Sequence, residues 1–160
     1  MPNMIDPSIP LRSFQDALTA GLLKLERGHV DPSIFVHIDK AGGKTRFTYV
    51  QLEGKTLAAF ATFVQNGYFD GRPNLATGYA VPEVYRNQGR ARSLLRSGIA
   101  EIKNGFRGFP PFFVEAVVSS KNFASLKVAE AVLGGEPEEL IDSHSGEPAL
   151  RYACLFEPAS

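Results

Sequence analysis

Residues 81–99 read VPEVYRNQGRARSLLRSGI, and the reading of this stretch decides the fold. Ala91, Leu94, Leu95, Ile99 and Ile102 recur at helical spacing, so a helix begins near residue 90. A helix start is the positive end of the backbone dipole, where carboxylates are favoured and cations are not. This one carries Arg86, Arg90, Arg92 and Arg96, with Gly89 in place of a good helix former. A strand ending at Val81, a bend holding Pro82 and a glycine at a helix start together make an anion-binding arrangement. Gly89 has no Cβ to keep a ligand off the backbone. The N–H groups of Gln88, Gly89, Arg90 and Ala91 lie outside the helical ladder and can point at a phosphate. The arginines would add charge-assisted bonds. The plain alternative is a solvated basic face with a turn glycine.

Outward from this stretch the chain alternates between clear elements. Before it, IFVHID, TRFTYVQLE, TLAAFATFVQ and NLATGYAV, within residues 34–81, are rich in β-branched and aromatic residues and predict consecutive strands. Gly42-Gly43, Gly54 and a longer break, NGYFDGRPN, separate them. After the helix, which Gly105 closes, PFFVEAVVS at 111–119 is apolar almost throughout and predicts a central strand. NFASLKVAEAVLGG then predicts a helix capped by Asn122 and ended by Gly134 or Gly135. EELIDS and ALRYACLF predict a closing hairpin. At the other end, residues 1–10 hold three prolines and predict an extended lead-in. Ser13 and Asp16 resemble a capping box, and Leu11, Phe14, Leu18, Leu22 and Leu25 predict a helix running to Gly28. The sum is one domain over residues 1–160, of α/β (α+β) class, with one sheet covered by helices.

Composition narrows the function. Lys plus Arg and Asp plus Glu are 17 each, so no net charge points to nucleic acid or to a membrane surface, and the basic stretch is a local feature. The single cysteine, Cys154, cannot form an internal disulfide and reads as a small core residue. His29, His37 and His144 are scattered, with no metal-ligand spacing, so no metal is expected. The start of the chain lacks a signal-peptide pattern, and a cytoplasmic location is the expectation. Other phosphate loops fit poorly. AGGKT lacks the first glycine of a P-loop, and the three-glycine dinucleotide fingerprint is missing.

YAVPEVYRNQGRARSLL resembles the acetyl-CoA signature of the GNAT superfamily of N-acyltransferases. The core pattern, Arg/Gln-x-x-Gly-x-Gly/Ala, is matched by Arg86-Asn87-Gln88-Gly89-Arg90-Ala91. NFASLKVAEAVLGG is similar to the family's second cofactor segment. The resemblance implies a GNAT-like mixed, mostly antiparallel sheet with helices on both faces and a parallel, splayed pair of central strands. It implies acetyl-CoA as cosubstrate and N-acetyl transfer to a primary amine by direct attack in a ternary complex. It also implies residue roles. The backbone at Gln88 to Ala91 would hold the pyrophosphate, with Arg86 and Asn87 beside it. The strand edge at Tyr79, Ala80 and Val81 would pair with the pantetheine arm, and Asn122 would bond its amide region.

Direct attack needs a base, an oxyanion donor and help for the departing thiolate. Glu115, a lone carboxylate in an apolar strand, is the candidate base, and a structural pair with an arginine is the equal alternative. Glu83 is the second candidate, and a backbone N–H near Val81 is the candidate oxyanion donor. Many family members carry a tyrosine acid where this chain has Ala129; Tyr79 and Tyr152 are the candidate substitutes, and a thiolate leaves readily enough that no acid is required. Tyr68, Phe69 and Asp70 are the candidate acceptor-binding residues, and the acceptor is a small-molecule or peptide amine. The sequence is compatible with a homodimer. The competing class is a module of the same shape that binds acyl-CoA without transferring anything.

Overall fold

The computed structural model describes residues 8–160. The part of the predicted lead-in before Ser8 lies outside them. Its last three residues do not extend: helix α1 spans Ser8–Thr19. The strands are β1 (Glu26–Arg27), β2 (Phe35–Ala41), β3 (Lys44–Glu53), β4 (Thr56–Phe69) and β5 (Arg72–Ala80). A single 3-10 turn and helix α2 (Arg90–Gly105) follow, then β6 (Phe112–Ser119), α3 (Phe123–Val132), β7 (Glu138–Ile141) and β8 (Pro148–Phe156). The strands form one eight-stranded sheet in the order β1-β2-β3-β4-β5-β6-β8-β7. Residues 34–81 are consecutive antiparallel strands, and β5 lies parallel beside β6, as the sequence predicts.

Residues alternate between the two sheet faces, and each face has its own cover. Ala61, Phe63, Leu75, Tyr79, Phe112 and Val114 share a core with Leu94, Leu95, Ile99 and Ile102 of α2 and Ala129 of α3. Val50, Leu57 and Phe60 point the other way and pack on Leu11, Phe14 and Leu18 of α1. The apolar stripe read from α2 is therefore the face that is buried. Each such leucine or isoleucine contributes about 1.5–3 kcal/mol by leaving water.

Two boundaries differ from the sequence reading. Helix α1 starts earlier than Leu11, leaving Ser13 mid-helix and ruling out the Ser13–Asp16 capping box, and it stops at Thr19 rather than near Gly28. Gly21 adopts φ 74°, its N–H donates to the Leu18 carbonyl, and the Leu22 N–H reaches back to Ala17 at 3.0 Å. This left-handed glycine stop outranks the apolar spacing beyond it, and Leu22 is left 77% exposed. The second difference is the supposed long break at NGYFDGRPN. Strand β4 runs on to Phe69 and β5 resumes at Arg72, so only Asp70 and Gly71 turn, at φ 51° and 75°. Asp-Gly with two positive φ angles is a type I′ hairpin, whose twist matches that of the strands it joins.

Helix α2 lies close on the sheet because Gly98 is in its middle. A Cβ built there would sit 3.0 Å from Phe63 Cε2 and 3.3 Å from Tyr49 Cδ2, and those rings are themselves in edge contact at 5.9 Å. Gly98→Leu is expected to destabilise the fold by about 1–3 kcal/mol or more, the usual cost of overpacking. Urea unfolding of the variant checks this, and an unchanged midpoint would refute the tight approach. On the flank of α2, the buried Glu101 carboxylate accepts the N–H groups of His29, Val30 and Asp31 at 2.8, 2.7 and 2.6 Å. It fastens the loop after β1 to the helix. A carboxylate beside an apolar stripe was the only sequence sign of this anchor.

The β5–β6 ladder is short. Only Asn74, Leu75 and Ala76 pair, with Phe113, Val114 and Glu115. Strand β4 meanwhile pairs with β5 as far as Ala80. From residue 77 to residue 80, β5 therefore presents an unpaired backbone edge toward β6, and the two strands part. No described helix is long and apolar enough to cross a membrane.

Candidate active site

A cleft of about 570 Å3 lies at the end of β5, between the starts of α2 and α3. Tyr79, Ala80 and Val81 form one wall, Arg86, Asn87, Gly89, Arg90 and Ala91 the mouth, and Asn122, Ser125 and Val128 the wall opposite. The fold thus brings eight of the residues read as cofactor-binding, and Tyr79 with them, to one cavity. Gln88, the ninth, sits between two lining residues and accepts from Arg90 Nε at 2.9 Å.

The loop geometry follows from two left-handed residues. Asn87 has φ 63° and Gly89 φ 71°, and Gly89 is the N-cap of α2 with no side-chain hydrogen bond at the cap. The first helical bond is made by the Ser93 N–H to the Gly89 carbonyl at 3.0 Å, so the N–H groups of residues 90–92 have no partner within the helix. Among the described residues, nothing lies within 4 Å of a Cβ built on Gly89. The glycine is required for its φ and for an open approach to those N–H groups. The strained asparagine is a signal the sequence reading passed over, since Asn is among the few residues that tolerate this region.

The arginines differ in how far they are committed. Arg90 reaches Glu53 at 2.6 Å, touches Gln51, and lies 5.1 Å over the Tyr85 ring. Arg86 donates from Nε to the Val81 carbonyl at 2.9 Å, tying the loop back to the end of the strand region. Arg96 turns outward to the Ala131 carbonyl of α3. Arg92 makes no hydrogen bond or ion pair with a described residue.

Glu115 has the alternative fate. Its side chain is 9% exposed, Arg151 Nε donates to Oε2 at 2.5 Å, and Asn66 donates to Oε1 at 2.7 Å. Arg151 is itself 4.5 Å over the Phe69 ring and 3.8 Å from Glu138. Both carboxylate oxygens are engaged, and Glu115 is not among the residues that line the cleft. The carboxylate read as a candidate base is thus held in an ion pair, away from the residues that line the cleft. A partner 36 residues further on, on β8, made the difference.

Tyr79 is buried and donates its hydroxyl to the Ser125 carbonyl at 2.7 Å, which ties β5 to α3 across the floor of the cleft. Burial pushes the phenol far above its ordinary value. Such a group stays protonated, with its proton engaged by the Ser125 carbonyl. Asn122 caps α3 as predicted, accepting from the Ser125 N–H at 3.1 Å. Ala129, where the family tyrosine would stand, is fully buried in the core. Tyr68, Phe69 and Asp70 do not line the cleft. Phe69 packs edge-on against Phe113 at 4.9 Å, Asp70 makes the hairpin turn, and Tyr68 is exposed beside it. Among the described residues no group of His, Cys, Asp and Glu is placed to hold a metal.

The architecture is that of the GNAT acetyltransferases. An acetyltransferase of the GNAT family from Streptococcus pneumoniae superposes with a TM-score of 0.53 at 14% identity, over 69% of this chain and 67% of that one. RimL, a ribosomal-protein α-N-acetyltransferase in complex with coenzyme A, gives 0.55 at 18% identity, over 71% of this chain and 64% of its own. Mycobacterium smegmatis RimJ in complex with a CoA disulfide gives 0.55 at 21%, over 71% and 54%. This chain therefore spans less than two thirds of the length of the last two. No family model and no curated protein matches the sequence. At these identities the likeness is one of fold.

Proposed function

We propose that this chain binds acetyl-CoA in the cleft at the end of β5 and transfers the acetyl group to a primary amine. The observation that carries the reading is the open Gly89 N-cap facing the same cavity as the unpaired edge of β5. The N–H groups of residues 90–92, which have no partner within the helix, suit a pyrophosphate, with the helix dipole behind them. The backbone edge at 77–80 suits the pantetheine amides, which would add to the sheet as another strand does. The residues present fit the cosubstrate, and two neighbours of the same fold were solved in complex with CoA or a CoA disulfide.

The chemistry divides between the cosubstrate and the chain. Acetyl-CoA supplies an activated carbonyl and a thiolate that leaves readily. An amine nitrogen, entering where β5 and β6 part, bonds to that carbonyl carbon while the carbon–sulfur bond breaks. A backbone N–H near Val81 is the candidate donor to the developing oxyanion, worth about 3 kcal/mol in comparable sites. The ammonium proton passes to water, because Glu115 is engaged by Arg151 and Asn66.

The second reading is a binding module without transfer. It is favoured by the same engagement of Glu115, by the Tyr79 hydroxyl spent on Ser125, and by the buried Ala129. Acetyl-CoA is expected to raise the Tm under both readings, since a ligand that binds only the folded state stabilises it. Release of free CoA thiol in the presence of a panel of amines separates them. Amine-dependent release supports transfer, binding without release supports the module, and an unmoved Tm refutes both.

A further inference from the structure

The side chains around the cleft are one-sided in charge. Arg86, Arg90, Arg92 and Lys127 line it, and no acidic residue does so among the described residues. A pyrophosphate brings two negative charges, and the backbone loop already provides for it. Arg90 is neutralised by Glu53 at 2.6 Å, and Arg86 is turned to the Val81 carbonyl. Arg92 and Lys127 stand apart from these. Both are exposed, they come from different helices, and neither forms a hydrogen bond or ion pair with a described residue.

Two cations without an acidic partner among the described residues, brought to one cleft, raise the local potential there and attract an anion. They sit on facing helices whose relative position is fixed, since Arg96 of α2 bonds the Ala131 carbonyl of α3 at 3.2 Å. Arg92 is in the first turn of α2, and Lys127 is one turn into α3. A second dianion placed beside the pyrophosphate would meet both. Resting on the acetyl-CoA reading, we propose that Arg92 and Lys127 form a second phosphate subsite that binds the ribose 3′-phosphate of the cosubstrate and selects it over its 3′-dephosphorylated form.

The test is calorimetric titration of the full chain with CoA and with 3′-dephospho-CoA, for the wild type and for the Arg92→Ala/Lys127→Ala variant. Both side chains are exposed, so the variant is expected to fold with an unchanged far-UV spectrum. The wild type should bind CoA at least about tenfold more tightly than dephospho-CoA. In the variant that ratio should fall close to one, through weaker CoA binding alone, and added salt should narrow the wild-type ratio. Equal wild-type affinity for the two ligands would overturn the subsite and leave the acetyl-CoA reading standing. A variant that weakens both ligands alike would also overturn it, by assigning the two cations to the pyrophosphate. Absence of binding by either ligand would overturn the subsite together with the acetyl-CoA reading on which it rests.

Discussion

Gly89→Glu is expected to abolish the rise in Tm that acetyl-CoA gives the wild-type chain. At a ligand concentration near 100 times Kd, binding stabilises the folded state by about 2.7 kcal/mol. For a chain of this size that is a shift of about 5–10 °C. The substituted side chain would enter the cleft, where nothing among the described residues lies within 4 Å of the new Cβ, and set a carboxylate against the anion. Apart from its φ of 71°, which costs a non-glycine residue about 1–2 kcal/mol, the free fold has room for the change. A glutamate at a helix N-terminus is even favoured by the dipole. The unliganded variant should thus melt only a few degrees lower, while the ligand shift disappears. Gly89→Ala carries the same backbone strain without bulk or charge, and it should keep most of the shift. A full shift in Gly89→Glu would remove the phosphate loop from the account.

The other large effect is on stability. Removing either partner of the Glu115–Arg151 pair leaves an uncompensated charge in a region where both side chains are less than 15% exposed. Breaking a buried pair from one side costs about 3–5 kcal/mol, much of it the penalty of the stranded charge. Glu115→Leu and Arg151→Met should each show that loss in urea unfolding. The double variant should be more stable than the sum of the two predicts, because it strands no charge. Glu115→Gln discriminates between the two roles read from the sequence. A structural pair predicts a less stable chain, since a neutral amide no longer compensates Arg151. A proton acceptor predicts an intact fold, unchanged CoA binding and a transfer rate about 10² lower. The second outcome would restore Glu115 to the chemistry.

The glycine-capped start of α2, the sheet and the closing hairpin were legible because their causes are local. Strand period, the Asn122 cap, the glycine stop of α3 and the Arg86–Ala91 loop each depend on residues within a turn or two of one another. The Asp70-Gly71 hairpin and the Gly21 helix stop were just as local, with left-handed backbone angles written in Asp, Gly and Gly. They were misread because the apolar spacing around them suggested something longer.

The sequence by itself determined the open helix start: a glycine where φ must be positive, followed by a first turn that cannot satisfy its own N–H groups. Only the tertiary structure decided what the ionised side chains do. Glu115 meets Asn66 from 49 residues earlier and Arg151 from 36 residues later because β6 lies beside β8, with the far end of β4 close by. Arg90 finds Glu53 at the end of β3, while Arg92, two residues on, finds no partner among the described residues. The reason is range. Backbone angles and caps are set by nearest neighbours, whereas desolvation and charge pairing depend on which strands and helices come to lie together.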